Sequence, residues 1–398
     1  MTGGVSRDRA TRVVVYAPGL TLTSFHRQSP WMMIPRSLQE MGCEVTLVCG
    51  RFLDTVRPLY RVIETKSATS TRVSLRVARS SIDPLLALPS IKRENPDVVI
   101  VGPLGPYLPT LLFLVRARLF QSGPRRSPSP IFVLKVDINL LDKSRRGLLG
   151  WATNTLVVLS SRVLDWVTLE SSCSVRFATA LPRVRAERVI HMPLGFPQGL
   201  ITIRPYAGAA RGPVVLCVGR VEPGKGQKLL LEAFANLAPE FPDWSLKYIG
   251  PIEDQSYLRS MQEVLHQNKL EERVSFLGFM EPGPRLDAEY SKAAVFCLPS
   301  FAESAGQVKY EAIASGLPLV TTGFPCREDT EAMGCVVVET GSVPDLVTAL
   351  RSLMSSPEER RRRSELSQSR IRSYVEITSE LLNRVLGNRD ASSAGPSV

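Results

Sequence analysis

Short apolar runs alternate with stretches of helical period along most of the chain. In the first half these are RVVVYAP (12–18), CEVTLVCG (43–50), DVVIVGP (97–103), IFVLKVD (131–137), VLDWVTLES (163–171) and RVIHMPLG (188–195). Six more follow: VVLCVGR (214–220), WSLKYIG (244–250), RVSFLGF (273–279), AVFCLPS (294–300), LPLVTTG (317–323) and GCVVVET (334–340). Most are continuous rather than alternating, which predicts parallel strands covered on both faces. Between them, GQKLLLEAFANLAPEF (226–241) places Leu229, Leu230, Ala233, Phe234 and Leu237 on one helical face, and PDLVTALRSLM (344–354) repeats the pattern.

Strand and helix alternating twice over predict two doubly wound α/β domains. The periodicity breaks in ITIRPYAGAARGP (201–213), so the expected domains are residues 1–205 and 206–372. PEERRRRSELSQSRIRSYVEITSELLNRVL (357–386) predicts one long charged helix, and residues 373–398 are expected to return toward the first domain and end in a disordered tail.

Composition adds little until the charge is divided. The chain of 398 residues carries a net +11. Residues 1–205 hold 28 basic against 13 acidic side chains, and the remainder 21 against 25, so the excess is entirely N-terminal. That asymmetry points to an anionic partner for the first half, or to a merely soluble basic surface. No run of eighteen apolar residues occurs, and MTGGVSRDRATR has no apolar segment behind its charges, so neither a membrane span nor a secretory signal is expected and the predicted location is cytoplasmic. The seven scattered cysteines have no metal-ligand or redox spacing, so no metal site is predicted.

The stretch VGRVEPGKGQK (218–228) nearly satisfies a triphosphate-binding loop, but its eighth position is Gly226 and supplies no hydroxyl to magnesium. The later strand ends YIG, LGF and LPS carry no Asp to complete a magnesium shell. Another anion chemistry suits the same residues. Arg220 and Lys225 straddle a tight turn opening a helix, so two cations and a helix N-terminus can converge on a diphosphate. In LPSFAESAGQVKYEAIASGLPLV (298–320), Glu303 precedes a small-residue run and Glu311 follows eight positions on, inside a helix. The backbone N–H groups between them would face a bound anion.

These residues resemble the retaining family 4 glycosyltransferases of the GT-B fold, two Rossmann-like domains facing a central cleft. The resemblance rests on the G-R-x-x-x-x-K-G turn (Gly219, Arg220, Lys225, Gly226) and the E-x7-E motif (Glu303, Glu311), and covers residues 211 to about 356 closely. It implies a nucleotide-diphosphate sugar, UDP- or GDP-linked, as co-substrate, with no further cofactor and no metal. Arg220 and Lys225 would meet the diphosphate, Glu303 the sugar and Glu311 the ribose. Gly219, Ser304, Gly306, Gln307 and Val308 would line the donor site, and Phe279 would edge the base. The implied reaction is metal-independent hexosyl transfer with anomeric retention to a glycan or lipid-linked acceptor, in cell-surface polysaccharide or glycoconjugate synthesis. A non-catalytic sugar-nucleotide binder is the alternative.

The chain also departs from the family pattern. Where many members carry His after a strand of the first domain, this chain has Asp137, which could bond an acceptor hydroxyl or cap the following turn. Lys135, inside the strand, is expected to be structural or paired with an acid. The loop after the first strand, APGLTLTSFHRQSPW, holds only Gly19, and Ala305 stands where relatives place an aromatic residue. Gly19 and His26 are acceptor-side candidates. PYLPTLLFLVRARLF (106–120) joins an apolar face to Arg116, Arg118, Arg125 and Arg126, which suits either the inner face of an anionic membrane or a core helix with a basic end. Dispersed arginines without interleaved aromatics argue against nucleic acid.

Overall fold

The computed structural model describes residues 9–23, 26, 29–65, 87–102, 129–137, 140, 148–198, 203–206, 208, 211–301, 303 and 306–393. The chain divides into two compact units: residues up to Leu194 joined by those from Tyr374, and Gly195–Ser373.

The first unit is built on β1 (Arg12–Leu22), β2 (Glu44–Phe52), β3 (Arg61–Glu64), β4 (Val98–Val101), β5 (Ile131–Val136), β6 (Trp166–Leu169) and β7 (Val189–His191). Their spatial order is β3-β2-β1-β4-β5-β6-β7, parallel throughout. Strands β4, β5 and β6 bury every residue, Lys135 and Thr168 included, as expected of strands covered on both faces. Helices α1 (Pro30–Glu40), α2 (Leu148–Val163) and α3 (Ser172–Ala180) belong to this unit.

The second unit contains β8 (Val214–Val218), β9 (Ser245–Ile249), β10 (Val274–Phe276), β11 (Val295–Leu298), β12 (Leu319–Thr322) and β13 (Val336–Val338). They form a parallel sheet in the order β10-β9-β8-β11-β12-β13. Around it run α4 (Gln227–Leu237), α5 (Gln255–Asn268), α6 (Pro284–Lys292), α7 (Gln307–Ala314), α8 (Arg327–Ala332), α9 (Val343–Ser355) and α10 (Pro357–Gln368). Helix α4 seats Leu230, Leu231, Ala233, Phe234 and Leu237 in the core, each large apolar side chain contributing about 1.5–3 kcal/mol. Leu229 is only partly buried at its rim.

In each sheet the strand order reverses once, at β1/β4 and at β8/β11. The chain leaves those adjacent strands in opposite directions, which opens a crevice outside their carboxyl ends.

Three local features differ from expectation. The long helix over 357–386 is interrupted: α10 ends at Gln368, and α11 (Tyr374–Ser393) belongs to the first unit, packed against α1. Between them Phe196 N donates to Arg372 O at 3.0 Å and Phe196 bridges to Ser373, so extended pairing replaces helix there. The same pairing, with Gln307 Nε2 donating to Gly195 O at 3.4 Å, ties the chain from Gly195 into the second unit, ahead of the proline- and glycine-interrupted stretch. Strand β1 runs to Leu22 through a register shift between Ala17 and Thr21, because Thr21 and Leu22 pair again with Arg51 and Phe52. Gly19 therefore lies within a bulged strand and not in a loop.

Among the described residues no helix is long and apolar enough to cross a membrane. The basic apolar segment at 106–120, with Arg125 and Arg126, lies outside the described residues.

Candidate active site

At the β8/β11 reversal the turn after β8 meets the loop after β11. The turn winds into one 3-10 segment, Pro223–Lys225, and ends at Gly226, whose left-handed backbone (φ 67°, ψ 17°) starts α4. A Cβ on Gly226 would lie 2.1 Å from Pro299 O, so only glycine lets the two loops touch. Phe301 N donates to Gly224 O at 2.9 Å and completes the seam.

That seam carries Lys225 to Glu303. The ammonium donates to Glu303 Oε1 at 2.7 Å, and Ser300 Oγ donates to the same oxygen at 2.8 Å. Both partners of the ion pair are largely withdrawn from solvent, Lys225 at 17% and Glu303 at 9% side-chain exposure. Glu303 Oε2 meets no donor among the described residues, and so retains acceptor capacity for a ligand hydroxyl.

Arg220 sits at the other end of the turn. Its guanidinium is half exposed and pairs with Glu222 at 2.9 Å, while its carbonyl accepts from Gln227 Nε2 at 2.7 Å. Gly219 donates its N–H to Ile249 O at 2.8 Å, anchoring the turn on the sheet.

Helix α7 begins at Gln307 behind Gly306, which is left-handed (φ 70°) and provides no side-chain cap. No acid occupies its first turn and no side chain caps it, so the positive end of its dipole is not compensated from within the helix. Val308 packs against the core. Ser304 lies outside the described residues. Phe279, in the segment after β10, is exposed.

Glu311 is buried one helical stretch below, where Oε2 accepts from Tyr290 OH at 2.9 Å. Burial pushes its carboxyl up to about 7, against the pull of the Tyr290 hydrogen bond. The folded state therefore holds a proton that the unfolded chain releases near 4.5. This group's contribution to stability is full below about 4.5 and is lost as pH rises through about 7. Glu311→Gln is accordingly expected to lose less stability than the parent between those limits, read from urea midpoints across the range.

Two further groups at this site carried no sequence signal. Lys309, fully buried in α7, donates to Phe324 O at 3.1 Å, and burial pushes its ammonium pKa down. Lysine ordinarily marks a solvated position, so spacing alone does not announce it. Ser300 lies two residues past β11 and reads as a turn residue until its bond to Glu303 is seen.

In the first unit Asp137 is neither exposed nor free. It pairs with Lys135, and its Oδ2 accepts from Trp31 Nε1 at 2.8 Å. Lys135 also pairs with Glu170 at 2.6 Å, so the strand lysine meets two acids. His26 is partly buried, its Nδ1 facing Thr23 N at 3.2 Å and Thr23 Oγ1 at 3.1 Å, and burial lowers its pKa.

Residues 203–370 match the family model for glycosyl transferases group 1. The second unit is a glycosyl transferases group 1 domain. Similar curated proteins include a GDP-mannose-dependent alpha-(1-6)-phosphatidylinositol monomannoside mannosyltransferase of Mycolicibacterium smegmatis, 30% identical over 46% of this chain and 50% of that protein. A D-inositol 3-phosphate glycosyltransferase of Corynebacterium glutamicum is 34% identical over 40% of each chain. The match thus spans half or less of those relatives' length.

Solved structures extend the likeness of fold to nearly the whole chain. Anabaena HepE, in complex with UDP and glucose, superimposes with a TM-score of 0.68 at 15% identity, over 95% of this chain and 100% of that one. Sucrose-phosphate synthase from Thermosynechococcus elongatus gives 0.68 at 17% identity, over 96% and 100%. The glycosyltransferase domain thus belongs to a chain with the α/β GT-B fold.

Proposed function

We propose that this protein transfers a hexosyl group from a UDP- or GDP-linked sugar to a glycan or lipid-linked acceptor, with anomeric retention and without a metal ion, in cell-surface polysaccharide or glycoconjugate synthesis. The observation that carries the reading is the Lys225–Glu303 pair, held at the β8/β11 reversal by the Gly226–Pro299 contact.

Departure of the nucleoside diphosphate concentrates negative charge on its terminal phosphate. Lys225, Arg220 and the open N-terminus of α7 then interact more strongly with the transition state than with the bound donor, which is the condition for raising the chemical rate. Glu303, with one oxygen still open, would hold sugar hydroxyls, and Glu311 would accept from the ribose. The charge stabilisation that a divalent ion would provide comes here from side chains. Front-face attack by the acceptor hydroxyl needs no covalent protein nucleophile and preserves the anomeric configuration. The acceptor is assigned to the first unit, whose sequence carries the excess positive charge and suits an anionic acceptor or the inner membrane face.

The test is a thermal-shift panel of UDP, GDP and ADP and their sugars, because a bound donor stabilises by RT ln(1 + [L]/Kd). One uridine or guanosine series is expected to raise Tm, unchanged by EDTA. Absence of a shift with every nucleotide, or a shift only with magnesium and ATP, overturns the reading. Proton NMR of the transferred sugar decides retention.

A further inference from the structure

Four side chains that the donor chemistry does not use meet at the carboxyl edge of the first unit's sheet. Lys135 lies on β5, Asp137 just past its end, Glu170 just past β6 and Trp31 in the first turn of α1. Lys135 is buried, with 2% of its side chain exposed, and forms ion pairs with both acids, at 2.6 Å to Glu170. Trp31 Nε1 donates to Asp137 Oδ2 at 2.8 Å, and the Lys135 ammonium lies 5.6 Å from the Trp31 ring centre. Gly102, just past β4 with φ +143°, fits beneath them. A Cβ there would stand 2.3 Å from Lys135 O and 2.9 Å from Trp31 Cη2.

Among the described residues two carboxylates share one ammonium. The excess charge is met by a proton on the buried Glu170, or by solvent or a ligand at the more open Asp137. Burial would lower the Lys135 ammonium, but the two acids outweigh it and hold it up at about 12. Burial pushes Glu170 up to about 7, against the pull of Lys135. Charged or titratable groups face Glu170 from two strands: Lys135 and Asp137 from the β5 side, and His191 of β7, whose Nε2 lies 3.3 Å from the Glu170 carbonyl oxygen. Asp137 is the most open member, at 20% exposure against 9% for Glu170.

We infer that Asp137 is the hydroxyl-accepting carboxylate of an acceptor subsite, that Trp31 and Lys135 are its positioning residues, and that Glu170 competes for the Lys135 ammonium and so sets the charge left on Asp137. With Glu170 protonated, Lys135 serves Asp137 alone and blunts it as an acceptor. With Glu170 ionised, the ammonium is shared and Asp137 accepts more strongly. The inference rests on the proposed transfer reaction only in taking the ligand to be a hydroxylated acceptor.

The Trp31 indole N–H is the reporter. In nitrogen-15 spectra of the full chain its resonance is assigned by Trp31→Phe and followed through neutral pH, then with glycerol, the smallest vicinal-polyol probe. The parent resonance is expected to titrate and Glu170→Gln to abolish that titration. Glycerol is expected to shift it in the parent and in Glu170→Gln. The response is expected to disappear in Asp137→Leu, whose remaining Lys135 and Glu170 balance in charge. Unchanged Trp166 and Trp244 resonances report that each variant is folded. A Trp31 resonance indifferent to pH, a titration surviving in Glu170→Gln, or no glycerol response in the parent overturns the inference. These readouts need neither donor nor turnover, so their failure is distinct from failure of the nucleotide panel.

Discussion

Lys225→Ala is expected to lower kcat/KM for sugar transfer by about 10²–10³-fold, the usual loss when one preorganised donor to a developing anion is removed. The fall should appear mainly in kcat, because the interaction strengthens as the leaving group gains charge. Steady-state kinetics with whichever nucleotide sugar raises Tm would measure it. Lys225→Arg, which keeps the charge near Glu303, should recover part of the rate. Arg220→Ala should cost less, since that guanidinium is 53% exposed and already paired with Glu222. A Lys225→Ala enzyme within a few-fold of the parent would remove the lysine from the mechanism and leave Glu303 without its assigned partner in the chemistry.

Gly226→Ala is expected to be strongly destabilising. A left-handed backbone costs a non-glycine residue about 1–2 kcal/mol. The added carbon would also overlap Pro299 O, 2.1 Å away, and a backbone oxygen cannot rotate aside. The combined loss should exceed about 3 kcal/mol and lower Tm by about 6 °C or more. Gly224→Ala is the control: its added methyl would meet nothing within 4 Å and should change stability by no more than about 0.5 kcal/mol. Calorimetry of the two variants side by side would decide, and equal Tm values would mean that the two loops part easily.

Both outcomes turn on contacts that lie between segments distant in the chain. The strands themselves were readable: every apolar run from Arg12 to Thr340 overlaps one of the strands of the two sheets. The exception is β3, Arg61–Glu64, a four-residue edge strand with exposed ends and no apolar run to announce it. The glycine turn was readable as well, because φ > 0 at Gly226 restricts residue type, and the two glutamates stood out by their spacing. Lys309 was not, and for Lys135 an acidic partner was expected but not that Glu170 would be one, since a lysine can bury its ammonium only where the fold supplies an acceptor from elsewhere.

Local pattern thus determined which segments extend and which coil, because backbone sterics and apolar periodicity act over a few residues. Tertiary structure alone decided that Lys225 reaches Glu303 while Arg220 turns to Glu222, that Tyr290 holds Glu311, and that Asp137 answers to Lys135 and Trp31. An ion pair or hydrogen bond depends on distances of a few ångströms between side chains, and those distances are set by how strands far apart in sequence line up in one sheet.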